Sequence, residues 1–188
     1  MGWILAIVFG FVIIYLFYMI GSRKRILSKL TSYFNGSVSS AFFRSIFNGQ
    51  YQGLNFSIKL TPAGKNTPPY LIISLSKDCT LHLTIYRENA LSHLGEKIGL
   101  VHEVKVDDET FDSDFLICSN DQERARIYLS SADIKNAIRE IFNDGFGSLK
   151  ADKKSITIQK PDYNSTSDLA PQKITTVLQR LSVVMKGL

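Results

Sequence analysis

Hydrophobic and polar positions divide the chain into three regimes. The first runs from Trp3 to Ile20, eighteen residues without a charge. At ~1.5 Å per residue a helix of that length reaches roughly 27 Å, close to the hydrocarbon thickness of a bilayer. Trp3 at one end and Tyr15, Phe17 and Tyr18 at the other suit the two interfaces. The pattern predicts one transmembrane anchor over residues 1–21. A cleaved signal peptide fits less well, because no basic residue precedes Trp3, the apolar run is long and no A-x-A site follows.

The second regime, 22–48, is a basic juxtamembrane segment. Ile26, Leu27, Leu30, Tyr33 and Phe34 recur at helical spacing, while Arg23, Lys24 and Lys29 fall largely elsewhere. Two arrangements fit: an amphipathic helix lying on lipid head groups, or a continuation of the span packed on the domain that follows.

The third regime, 49–188, alternates as a folded domain does. Leu54, Phe56, Ile58 and Leu60 interleave with Asn55, Ser57 and Lys59, a half-buried strand. TPAGKNTPP (61–69) is a loop. Further strands are predicted over 70–76, 81–85, 101–106 and 114–119, with a short helix over 88–97. Asn120 or Asp121 caps a helix running to Leu129, and Ser130 with Asp133 has the spacing of a capping box for the next. That helix presents Ile134, Ala137, Ile138, Ile141 and Phe142 on one face and stops at Asn143-Asp144-Gly145. Residues 149–158 read as a hairpin around 151–154. After Pro171, an amphipathic helix carries Ile174, Val177, Leu178, Leu181, Val184 and Met185 on one stripe. That stripe either docks on the sheet or receives a partner. Grouped strands with helices between the groups predict an α+β fold, a largely antiparallel sheet covered by helices.

Charge sharpens this picture. The net charge of +5 conceals an asymmetry: residues 1–77 hold eight Lys or Arg and no Asp or Glu, whereas 78–188 hold fourteen basic residues and seventeen acids. Arg23, Lys24, Arg25 and Lys29 directly follow the predicted span, which places the C-terminal side in the cytoplasm. There these four become candidates for contact with the anionic leaflet. The bilayer accounts for the basic character without invoking nucleic acid, for which no motif is present. Cys79 and Cys118 are too few for a disulfide framework.

Residues 109–141, ETFDSDFLICSNDQERARIYLSSADIKNAIREI, carry a further pattern: Glu109, then Phe111-Asp112 and Phe115, then Asp121 with Ala125-Arg126, then Leu129-Ser130. Gly49, Tyr51 and Gly53 precede a strand upstream. This resembles a loose group of uncharacterised bacterial proteins with a single N-terminal span and a soluble α+β domain. The resemblance spans about residues 48–160 and departs from the group at Ser131-Ala132, where proline often sits. It implies anchoring and fold, and no catalytic residues.

Candidate chemistry is sparse. Asp107, Asp108, Glu109, Asp112 and Asp114 place five carboxylates in eight residues, a possible loop for a cation or a basic partner, although the EF-hand spacing is absent. The ordinary alternative is a solvated loop. Arg126 is expected to pair with Asp112 or Asp114, or to form an anion site with the helix start. His82, His93 and His102 are isolated in sequence; a Cys118–His102 dyad requires neighbouring strands. No nucleophile elbow, phosphate loop or dinucleotide fingerprint occurs. The expected protein is a non-enzymatic binding or scaffold module without a cofactor. Its expected place is the cytoplasmic face of a bacterial inner membrane, with the bilayer and a protein as candidate partners. The alternative is an anchored enzyme or lipid-handling protein whose site is assembled from distant residues.

Overall fold

The computed structural model describes residues 3, 7–10, 21–41, 44–87 and 103–188. After a helical stretch over 21–28 (α1) come α2 (Thr31–Phe34), β1 (Ser37–Ala41), β2 (Arg44–Tyr51), β3 (Leu54–Thr61), β4 (Tyr70–Ser76) and β5 (Leu83–Arg87). They are followed by α3 (Glu109–Asp114), β6 (Phe115–Ser119), α4 (Gln122–Leu129), α5 (Ala132–Asn143), β7 (Ser148–Asp152), β8 (Ser155–Pro161) and α6 (Pro171–Val184).

Among the described residues the strands make one antiparallel sheet of eight, in the order β1-β2-β3-β4-β8-β7-β5-β6. β1 to β4 form a meander, and the β7–β8 hairpin is inserted between β4 and β5. The period-two side-chain rule then lines up one apolar row across all eight strands: Val38, Phe47, Ile58, Ile73, Ile158, Leu149, Ile85 and Ile117. Seven of these are fully buried and Val38 packs against them. The helices cover that face. α5 contributes Ile134, Ala137, Ile138, Ile141 and Phe142, and α6 contributes Ile174, Val177, Leu178, Leu181 and Val184. The stripe of α6 therefore docks within the domain.

The opposite face is mixed, with Ile46, Ile72, Tyr86 and Leu116 in one row beside Ser39, Lys59, Gln159 and Ser148. Another of its rows reads Ser37, Asn48, Ser57, Ser74, Thr157, Lys150, Thr84 and Cys118. In its middle Ser74 and Thr157 bond to each other at 2.9 Å.

The expected α+β class with an antiparallel sheet holds, and its N-terminal element needs correction. Among the described residues no helix is long and apolar enough to cross a membrane. Trp3 and residues 7–10 are helical, and the rest of the predicted span, 4–6 and 11–20, lies outside the described residues. Among the described residues the expected membrane-spanning helix is thus not seen.

The segment 22–48 is part of the domain. Leu27, Leu30 and Phe34 join the main core, and Phe34 packs edge-on against Phe56 with ring centroids 5.3 Å apart. The sheet begins at Ser37, ahead of the boundary expected near residue 49. The strands over 54–61, 70–76 and 115–119 and the β7–β8 hairpin lie where alternation predicts them, and the helices end at Leu129 and Asn143 as the pattern predicts. The predicted strand over 101–106 reduces to one bridge, Glu103 to Cys118, and residues 88–102, including the predicted helix over 88–97, lie outside the described residues.

Candidate binding site

The five carboxylates of the acidic stretch do not converge on one point. Asp108 caps α3, accepting from the Phe111 N–H at 3.1 Å and the Thr110 hydroxyl at 2.7 Å, and it is held by Lys135 at 2.5 Å. These donors, Lys135 first, hold its carboxyl well below the usual carboxylate range. Asp112 turns back to accept from the Val106 N–H through both oxygens, at 3.0 and 3.1 Å. Asp107, Glu109 and Asp114 point to solvent, and residues 109–114 are helical rather than looped. Among the described residues no group of three or more His, Cys, Asp or Glu side chains is placed to hold a metal ion.

Arg126 does not pair with Asp112 or Asp114. Its Nε donates to the Lys105 carbonyl at 2.9 Å, which ties α4 to the strand-like segment beside β6. Asp121 caps α4 as expected, accepting from the Arg124 N–H at 3.1 Å. The capping box at Ser130 does not form, because the Ser130 hydroxyl donates backwards to the Ile127 carbonyl. Cys79 and Cys118 are buried, and burial pushes both thiols up. His93 and His102 lie outside the described residues, so the dyad expectation falls there; His82 is half-buried.

The four basic residues after the predicted span separate. Lys24, Arg25 and Lys29 are exposed, whereas Arg23 is only 9% exposed and lies beside Tyr163. α1 and the turn after it thus put Leu27 and Leu30 into the core and the three cations outward. The acid-free residues 21–77 form one contiguous half of the fold, α1, α2 and β1–β4.

A groove not anticipated from the sequence lies in that same half. It is open, about 650 Å³, and sits where the start of β1 meets the end of β2, the start of β3 and the end of β4. Asn35, Ser37, Asn48, Gln50, Asn55, Ser57 and Ser76 supply its polar groups, with Gly36, Gly49 and Phe56 completing the lining. The backbone builds it. Asn35 adopts a left-handed conformation (φ 43°) that ends α2, and Gly36 then descends so close to β2 that a Cβ there would lie 2.4 Å from the Asn48 carbonyl oxygen and from the Phe47 ring. At the far end Gln52 (φ 50°) and Gly53 (φ 79°) make the tight β2–β3 turn that sets Gln50 opposite Asn55. The Gln50 amide donates to Asn55 Oδ1 at 3.2 Å. The signal for this site was register: Ser37–Asn48–Ser57 and Gln50–Asn55 are neighbours only once strand pairing is known.

Among the described residues, the fold and groove define an α+β protein whose eight-stranded sheet has one helix-covered face and one of mixed polarity. No protein-family profile matches the chain, and no curated protein matches it either. A solved structure with a similar fold is that of the mycobacterial trehalose monomycolate transport factor A, TtfA. It superimposes with a TM-score of 0.55 over 88% of this chain and 96% of that one, at 12% identity, a likeness of fold alone.

Proposed function

We propose that the chain is a non-catalytic binding module that handles lipid-type amphiphiles at an anionic membrane surface. The coincidence of charge with fold carries this reading. The half formed by α1, α2 and β1–β4 contains no carboxylate and exposes Lys24, Arg25, Lys29 and Lys65. Each cation near an anionic leaflet contributes on the order of 1 kcal/mol, so Lys24 and Arg25 on α1 with Lys29 just after it form a usable contact. The cytoplasmic leaflet is the anionic one, and that is the side on which such a face would work. The similar fold belongs to a protein named for trehalose monomycolate transport, so handling an amphiphile is a role this architecture accommodates. The buried thiols and the capped carboxylates support binding rather than chemistry.

The test is co-sedimentation of the full chain with phosphatidylcholine vesicles containing rising fractions of phosphatidylglycerol, at low and high salt. Binding is expected to increase with the anionic fraction and weaken with salt. Reversing Lys24, Arg25 and Lys29 to Glu should weaken the anionic component by about a hundredfold or more. Equal partitioning onto neutral and anionic vesicles would refute the reading.

A further inference from the structure

Three features invite a ligand: the groove, the mixed second face of the sheet, and the ion network at the end of α5. The network is internally satisfied. Asp144 holds Lys173 and Arg180, Arg180 also reaches Glu140, and Lys160 bridges Asp168 and the Asp144 carbonyl. The middle of the open face is likewise self-paired through Ser74 and Thr157. The groove differs. Apart from the Gln50–Asn55 bond, its amide and hydroxyl side chains make no hydrogen bond within the chain among the described residues.

We infer that this groove binds a neutral polyhydroxylated group of the sugar type. The lining selects by elimination. An anion needs a cation or a row of unpaired amides at a helix start, and the groove has no charged side chain. A metal ion needs clustered carboxylates, and the groove has none. An apolar ligand needs an apolar lining, and Phe56 is the one large apolar side chain present. Carboxamides and hydroxyls both donate and accept, as do the hydroxyls of a sugar, so each can serve either partner of a C–OH group.

The groove is also preorganised. Gln50 and Asn55 hold each other, which leaves Gln50 Oε1 and Asn55 Nδ2 for a ligand. Asn48 and Ser57 face each other in register across β2 and β3, and Ser76 stands on β4 directly after Leu75, the partner of Phe56. All of these stand on strands, where positions are set more firmly than on loops. Its volume, about 650 Å³, lies within the ~300–1,000 Å³ of small-molecule sites. The inference stands apart from the vesicle reading, because it concerns uncharged ligands and a different set of side chains.

The ligand has two sources, a free sugar or the head group of a glycolipid, and two arms separate them. Saturation-transfer NMR of the full chain with a panel of neutral disaccharides, trehalose among them, reads the free form. Flotation with neutral phosphatidylcholine vesicles, with and without a neutral diglycosyl lipid, reads the head group. Signal in either arm supports the site if Asn48→Leu with Asn55→Leu weakens it by about tenfold or more, the effect of losing two hydrogen bonds. Both substitutions fall on exposed positions of paired strands, and an unchanged urea midpoint will show that the variant folds. The Lys24, Arg25 and Lys29 reversal should leave this signal unchanged, so failure here is distinct from failure on anionic vesicles. Absence of signal in both arms, or equal binding by the double Leu variant, overturns the inference.

Discussion

Lys135 Nζ lies 2.5 Å from Asp108 Oδ2, and the same carboxylate caps α3. One side chain therefore joins the middle of the helical layer, α5, to the short helix that leads into β6. Arg139, 3.6 Å from the same oxygen, stacks over the Phe111 ring at 5.2 Å and encloses the junction from the other side.

Because Asp108 does two jobs, its substitutions should rank in order. Asp108→Asn keeps an N-cap and loses the ion pairs, while Asp108→Ala loses both. Urea unfolding followed by circular dichroism is expected to place Asn between wild type and Ala. An Asn variant as unstable as Ala would show that the cap contributes nothing.

The same group makes an acid limit. Asp108 is held low by Lys135, Thr110 and the Phe111 N–H, and Asp152 is held low by the Lys154 and Ser155 N–H groups and the Ser155 hydroxyl. A carboxyl whose pKa is lower folded than unfolded stabilises above its unfolded value and loses that contribution as pH falls through the folded one. These two groups should leave the urea midpoint level from about pH 5 to 8 and depress it below about pH 4. At the alkaline side Tyr128, buried and donating to the Val184 carbonyl, has its phenol pushed up. The sign is then reversed, and stability should be lost above about pH 10. Tyr128→Phe should cost about 1–2 kcal/mol by leaving that carbonyl unpaired.

Phe47 is the core residue on which the groove rests. It is fully buried, 5.7 Å from Phe56 between ring centroids, and lies beneath both Gly36 and Gly49. Phe47→Ala should cost about 3–5 kcal/mol in urea unfolding. Gly36→Ala should cost about 1–3 kcal/mol by overpacking against the Asn48 carbonyl. A neutral Gly36→Ala would show that the α2–β1 turn is free to move.

Both cysteines are 5% exposed with thiols pushed up by burial. Native protein treated with iodoacetamide at neutral pH should gain no mass within the time that urea-unfolded protein gains two adducts. Rapid native labelling at Cys118 would show that β6 opens.

Where alternation is strong the fold was legible. Leu54 to Leu60 and Tyr70 to Ser76 announce strands, and Asp121 and Gly145 announce where helices begin and end. The first two strands escaped detection because their inward positions are weakly apolar: β2 turns Ser45, Phe47 and Gly49 inward, which offers one large side chain in five residues. α3 escaped because Phe111 stands alone among five acidic and hydroxyl-bearing residues, and six residues span too few turns to show a period. The oily stretch from Trp3 to Ile20 satisfied a length criterion, but it gave no sign that Leu27, Leu30 and Phe34 just beyond it belong to the core. The groove could not be read at all. Its side chains come from four separate strands and the turn before β1, and no short spacing links Asn35 to Ser76.

The insertion of β7–β8 between β4 and β5 has a consequence in time. Ser74 meets Thr157, 83 positions later in the chain. A ribosome adding roughly 5–20 residues per second therefore exposes a finished four-stranded meander for several seconds before its closing partner emerges. Throughout that wait β4 presents an open edge carrying Leu71, Ile73 and Leu75. A nascent chain stalled before Ser148 would carry two half-sheets with nothing to join them, and such stalled chains are where chaperone dependence should be sought.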